Sequence, residues 1–217
     1  MVVERRSWAL VAVPAAVVGV GWVVRRVAVH AHSTGIAGVT PQAPSRDPAR
    51  LVPAVRGHAE AAGVNPVLLM AILYAESYKP HVPLLERAWQ VVHRDSAFGV
   101  ANMHRLAYER TRPGRPFAGR AWTELPGDPD LAVQAAAWHL HDLRARLPLV
   151  IVGTFTADEL VGMGYNAGVR NMLRFAHGTP PGPRAAAYLD RLREHWQRAE
   201  AALAAPQPPR PSVPVAS

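Results

Sequence analysis

The chain has 217 residues, a formal net charge of +8 and no cysteine. Its length suits one domain core of ordinary size plus appendages. Without cysteine the chain has no disulfide, no thiolate metal ligand and no thiol nucleophile. The positive charge suits an anionic partner, but the arginines are scattered, without a dense run or interleaved aromatic residues. We therefore expect no nucleic-acid binding.

The first segment with a clear pattern is apolar. Residues 7–24 carry no charge and are flanked on both sides by arginine pairs. This length is near the lower limit for a helix that crosses a bilayer, and Trp8 and Trp22 lie near its ends, where interfacial aromatic residues are common. We expect residues 1–27 to form an N-terminal membrane-anchoring helix, or a signal segment that is cleaved. The rest of the chain would then be membrane-anchored and extracytoplasmic, or secreted.

Composition divides the remainder into three parts. Residues 28–47 contain glycine, proline, serine and threonine without a helical period, which is typical of a flexible linker. Residues 205–217 contain five prolines and predict an extended tail. Between them, residues 48–204 form one candidate domain with helical periodicity and almost no strand-like alternation. The predicted fold class is mainly α.

Capping residues and apolar spacing predict the helices of this domain. Asn65 and Pro66 suit the first positions of a helix that Pro80 ends. Thr156 and Glu159 form a capping box for another helix. The other predicted helices span approximately residues 53–62, 128–147, 171–177 and 184–204.

Glu76 lies at the end of an apolar helical stripe. Leu69, Ile72 and Leu73 lie seven, four and three residues before it, so the four side chains share one face. Desolvation on such a face raises the pKa of a carboxyl group, which a general acid near neutral pH requires. The alternative is a surface glutamate on the last turn, because the residues from Ser77 onward are polar.

Three separated segments carry a family resemblance. They are AESYKP around Glu76, DSAFGVANM at residues 95–103 and MGYNAG at residues 163–168. In this order and at these separations they resemble the Glu-Ser, Gly-Ala-x-Gly-Leu-Met-Gln and Ala-Tyr-Asn-Ala-Gly motifs of the lytic transglycosylase family of SLT type. The similarity covers most of residues 55–195. It implies a goose-lysozyme-like, helical catalytic domain.

The chain departs from the family pattern at several positions, and three of the departures bear on the saccharide contacts. Asn102 occupies the place of the usual glutamine, which keeps the amide and shortens its reach. Ser96 replaces a glycine, and Gly164 replaces an alanine. All three belong to the segments in which the family contacts its saccharide, so the saccharide contacts are expected to differ in detail.

The resemblance implies cleavage of the β-1,4 bond between N-acetylmuramic acid and N-acetylglucosamine in peptidoglycan, with formation of 1,6-anhydromuramic ends. One carboxylic acid acts first as acid and then as base, whereas most glycosidases use two. Glu76 is the expected catalytic acid and base, and Tyr165 is expected to orient its carboxyl group through a hydrogen bond. No cofactor or metal is expected. The expected substrate-binding residues are Ser96, Asn102, Gly164 and Asn166.

Other functions stay open. Hydrolysis of lysozyme type becomes possible if Asp95 faces Glu76 across a cleft with room for a water molecule, although an Asp-Ser pair is also common in turns. The chain can also be a membrane-tethered wall-binding module that kept the fold without activity, or a partner of an envelope-spanning machine. The expected partners are therefore peptidoglycan strands, the membrane and, in the last case, envelope machinery.

Overall fold

The computed structural model describes residues 47–77, 86, 90 and 96–206. This part of the chain is mainly helical, so the predicted fold class is confirmed. The proposed anchor, nearly all of the linker and most of the proline-rich tail lie outside the described residues, and what the sequence predicts for them stays a prediction. No helix in the described part is both long and apolar enough to span a membrane.

Seven α-helices and one two-stranded sheet lie in the described part of the chain. In order they are α1 Val52–Ala62, α2 Pro66–Glu76, β1 Ala97–Phe98, β2 Met103–His104, α3 Arg105–Thr111, α4 Pro129–Arg144, α5 Ala157–Ala167, α6 Val169–Ala176 and α7 Pro183–Ala204. Short 3-10 helices span Pro48–Leu51 and Trp122–Glu124. The two strands are antiparallel, with Phe98 opposite Met103.

The predicted helix starts are formed by side-chain caps. The Asn65 side chain accepts a hydrogen bond of 2.9 Å from the Val67 amide at the start of α2. At the start of α5, the Glu159 amide donates to Thr156 Oγ1 at 3.2 Å, and the Thr156 amide donates to Glu159 Oε2 at 2.8 Å. Because the first amides of a helix have no partner within the helix, these contacts fix where α2 and α5 begin.

Helix α2 lies in the centre of the domain. All residues from Leu68 to Glu76 are buried, and the helix packs most extensively against α7, with further contacts to α1, α4 and α5. The sequence of α2 is apolar on every side and not only along the stripe that ends at Glu76, as is usual for a helix enclosed by others. Consequently, the C-terminal end of α2 carries Glu76 into the interior of the domain.

The β1–β2 hairpin is fixed by aromatic packing. The Phe98 ring packs edge-on against Trp122, with 5.1 Å between ring centroids. Trp122 Nε1 also donates a hydrogen bond of 3.1 Å to the Met103 carbonyl on the facing strand. Two short strands alone are marginally stable, so these contacts hold the hairpin against the helices. The turn of this hairpin contributes to the site described next.

Candidate active site

Glu76 is the last residue of α2 and is almost fully buried. Its side chain is 4% exposed, so the structure excludes the surface position that the sequence left open. Glu76 Oε2 accepts a hydrogen bond of 2.8 Å from Asn102 Nδ2. A carboxyl group removed from water is strongly disfavoured unless it has polar partners or is neutral. The contact with Asn102 supplies one such partner.

The backbone of Asn102 is unusual. Its φ is +47°, and within the described ranges no other non-glycine residue has a positive φ. The backbone amide of Asn102 donates a hydrogen bond of 2.9 Å to the Gly99 carbonyl, and this bond closes the hairpin turn. Asparagine tolerates the left-handed region better than most residues, and such conformations are concentrated at functional sites. The turn therefore places the side-chain amide group of Asn102 against Glu76.

Gly99 allows this turn to approach its neighbours. Its φ is +73°, and a β-carbon built on it would lie 2.9 Å from the Leu125 carbonyl oxygen. The Gly99 amide donates to Glu86 Oε2 at 3.0 Å. A glycine is required here by the packing of the turn against Leu125, and this reason is independent of any sugar contact.

Tyr165 links α5 to the same turn. Its hydroxyl group donates a hydrogen bond of 2.7 Å to the Ala101 carbonyl, directly before Asn102. Burial raises the pKa of the Tyr165 phenol, and the charge of Glu76 adds to the increase. The resemblance implied a hydrogen bond between Tyr165 and Glu76, but the hydroxyl proton is directed to Ala101. Tyr165 therefore supports the turn that holds Asn102.

Tyr188 is a site residue that the sequence analysis missed. It lies on α7 and is 1% exposed; its hydroxyl group makes no hydrogen bond of ordinary geometry with the described residues, although it lies close enough to the Glu76 carboxyl group for a weaker one. Burial, followed by the charge of Glu76, raises the pKa of the Tyr188 phenol well above its usual value. In the sequence, Tyr188 lies four residues before Leu192 and fits the apolar stripe of the last helix. Only the contact with Glu76 distinguishes it from a core residue.

A pocket of about 620 Å³ opens beside Tyr165, between α3, α4 and the C-terminal end of α5. Asn166 is exposed and lines it, together with the half-buried His139. His139 Nδ1 lies 3.2 Å from Thr111 Oγ1, and its ring packs edge-on against Tyr165 at 5.5 Å. Burial lowers the pKa of the His139 imidazole to about 4, so the ring is neutral at neutral pH. The pocket therefore has neutral polar groups beside Tyr165 and charged groups elsewhere, since Arg110, Asp142 and Arg146 also line it.

The remaining predicted site residues occupy different positions. Ser96 is half-buried directly before β1. Gly164 is buried, and a β-carbon there would lie 2.7 Å from Met172 Sδ, so the close packing of α5 on α6 accounts for the glycine. Asp95 lies outside the described residues. Of the predicted site residues, the structure thus brings Glu76 and Asn102 into contact through a hydrogen bond. Asn166 lines the neighbouring pocket.

Comparison of the chain with protein-family models, with curated proteins and with solved structures finds no match. The resemblance to lytic transglycosylases therefore depends on the three sequence motifs. What the site can do chemically follows from the side chains around Glu76.

Proposed function

We propose that the chain is a peptidoglycan lytic transglycosylase with Glu76 as its catalytic acid and base. The observation that carries the proposal is the burial of the Glu76 carboxyl group together with its hydrogen bond from the side-chain amide of Asn102, whose φ is positive. A buried carboxyl group with a strained polar partner is unusual in a structural core and common where a proton is transferred. The order and spacing of the three motifs add the substrate class.

In the proposed reaction, protonated Glu76 donates its proton to the glycosidic oxygen as the bond to muramic acid C1 breaks. The resulting carboxylate then takes the proton of the muramic acid C6 hydroxyl group, whose oxygen bonds to C1 and closes the 1,6-anhydro ring. Glu76 ends the cycle protonated, so the proton balance closes without a second acid or an added water molecule.

The neighbouring groups suit this cycle. The Asn102 amide donates to Glu76 Oε2 and can stabilise the carboxylate that forms after the first proton transfer. The Tyr188 hydroxyl group lies beside Glu76 and makes no hydrogen bond of ordinary geometry with another described residue, so it can donate to the same carboxylate. Asn166 and the other polar side chains of the pocket beside Tyr165 offer hydrogen-bonding groups to N-acetyl and hydroxyl groups of a glycan.

The products of a digest test the proposal. The full chain is incubated with purified peptidoglycan, and the soluble fragments are analysed by mass spectrometry. We expect fragments that end in 1,6-anhydromuramic acid. Fragments with reducing ends would instead indicate a hydrolase. Binding to the insoluble wall without release would indicate a wall-binding module.

The Tyr188→Phe variant tests the role of the Tyr188 hydroxyl group. We expect the rate of cleavage to fall by about tenfold. This corresponds to a loss of about 1.4 kcal/mol, which is near the lower end of the usual contribution of one hydrogen bond to a charged group. The free energy of unfolding should change by less than about 0.5 kcal/mol or rise, because the buried hydroxyl group makes no hydrogen bond of ordinary geometry in the folded protein. Initial rates of fragment release and urea denaturation measure the two effects.

Tyr108→Phe is the matched control. Tyr108 is also buried, but its hydroxyl group donates to the Arg120 carbonyl at 3.2 Å. Its loss should lower the free energy of unfolding by about 1 kcal/mol and leave the rate of cleavage unchanged. If Tyr188→Phe instead lowers stability and leaves cleavage unchanged, Tyr188 is a structural residue.

A further inference from the structure

The loop between α4 and α5, residues 145–156, exposes a cluster of aliphatic side chains. Leu149 is 106% exposed, Val150 73% and Val152 53%. In the rest of the described chain, Leu106 on α3 is the one other large apolar residue with comparable exposure, at 61%. Single exposed apolar residues are ordinary, whereas three within four positions form a patch that indicates an interaction surface. We call Leu149, Val150 and Val152 the loop tip.

The loop that carries the tip is attached to the domain. The Val152 amide donates to the Ala176 carbonyl at 2.8 Å, and Val152 pairs with His177 in a parallel bridge. Ile151, between the exposed valines, packs against the core, as does Leu147 before them. The loop thus buries some of its aliphatic side chains and presents the others to solvent in a fixed position.

Two arginines lie close in sequence to the loop tip or to its backbone partner. Arg146 lies three residues before Leu149, and Arg174 lies two residues before the carbonyl that binds the Val152 amide. Both are exposed and form no ion pair with any residue that the structure describes. Arg144, by contrast, is paired with Asp158 at 2.7 Å. Aliphatic side chains beside unpaired arginines suit the interface of an anionic bilayer, where acyl chains lie below negatively charged headgroups.

A second copy of the chain is a poorer occupant. If two loop tips packed together, Arg146 and Arg174 of one copy would approach the same cations of the other. Like charges that face each other across an interface are repulsive and oppose association. The charge of the patch therefore favours an anionic surface over self-association.

We propose that the loop tip inserts into the interface of an anionic lipid bilayer and holds the domain against the membrane. The inference is independent of the proposed catalytic activity. It agrees with the predicted anchor at residues 7–24, which would raise the effective concentration of the domain at the membrane. At such an effective concentration, a contact of low affinity is sufficient.

The absence of cysteine from the chain provides a direct test. Two single-cysteine variants of the full chain, Val150→Cys and Leu106→Cys, are labelled with a dye whose emission shifts to the blue in an apolar environment. Each is added to vesicles of phosphatidylcholine alone or of phosphatidylcholine and phosphatidylglycerol in a ratio of three to one. Both positions are exposed, so neither label disturbs the core, and the label at position 106 is the matched control for a leucine outside the loop.

The label at position 150 should shift to the blue, with an increase in emission of about twofold, on the anionic vesicles, and be quenched by nitroxide-labelled lipid. The label at position 106 should do neither. Adding Arg146→Gln and Arg174→Gln, or raising the salt concentration, should reduce the shift at position 150 by at least half, because headgroup attraction is screened.

Three outcomes overturn the proposal. The first is the absence of a shift at position 150 on anionic vesicles, and the second is an equal shift on uncharged vesicles. The third is a shift that occurs without vesicles and grows with protein concentration, which would assign the loop tip to a contact between copies. Because none of these readouts uses peptidoglycan, their failure is separable from failure of the proposed enzymatic function.

Discussion

Glu76→Gln is expected to reduce the release of soluble peptidoglycan fragments by about 100- to 10,000-fold, the usual contribution of a general acid and base. Glutamine has the size of glutamic acid, and its carbonyl oxygen can accept the hydrogen bond that Asn102 Nδ2 now donates. It carries no acidic proton for the glycosidic oxygen and cannot take one from the C6 hydroxyl group. The variant should therefore fold normally and lose only the chemical step. Initial rates of fragment release measure the loss.

Glu60→Gln is the matched control for the type of substitution. Glu60 is exposed on α1, so its replacement changes a carboxyl group to an amide in the same way outside the site. We expect its rate to equal that of the unaltered chain. Sedimentation with insoluble peptidoglycan should show that Glu76→Gln still binds the wall, which separates loss of catalysis from loss of binding. A Glu76→Gln variant that cleaves within about threefold of the parent would exclude Glu76 as the acid, since general acid catalysis contributes far more.

The helices could be predicted from the sequence because their signals are local. The Asn65 cap, the Thr156–Glu159 capping box and the apolar spacing of α4 act over a few residues, and each is found where the sequence indicates. The helix ends were predicted less well. Helix α4 ends at Arg144, although its apolar pattern continues to Leu147, because the last turn of a pattern carries little information on fraying.

The contacts of the site could not be predicted in the same way, since they join distant parts of the chain. Asn102 meets Glu76 across 26 positions, and Tyr165 meets Ala101 across 64. The resemblance singled out Glu76, Asn102 and Tyr165, but which group each side chain contacts depends on the packing of α5 and α7 against α2. Tyr188 shows the limit most clearly: its spacing is that of a core residue, and only its position against Glu76 gives it a second role.

Gly99→Ala should lower the free energy of unfolding by about 3 kcal/mol, the sum of a positive-φ penalty and an overpacked contact. Its φ is +73°, and the added β-carbon would lie 2.9 Å from the Leu125 carbonyl oxygen, which belongs to the backbone and cannot rotate away. The turn must then move. Asn102 moves with it, because the backbone amide of Asn102 is hydrogen-bonded to the Gly99 carbonyl. Urea denaturation measures the loss of stability.

Gly114→Ala separates the two contributions. Gly114 has a nearly identical φ of +72°, but a β-carbon there would meet nothing within 4 Å. This variant should lose only about 1 kcal/mol, the conformational part, and should keep its activity. Equal losses in the two variants would mean that the turn adapts to Leu125 without strain. If Glu76 is the catalytic acid as proposed, a Gly99→Ala variant that is assayed while folded should still cleave at least about tenfold more slowly, because a displacement of the Asn102 side-chain amide by a fraction of an ångström weakens its hydrogen bond to the Glu76 carboxyl group.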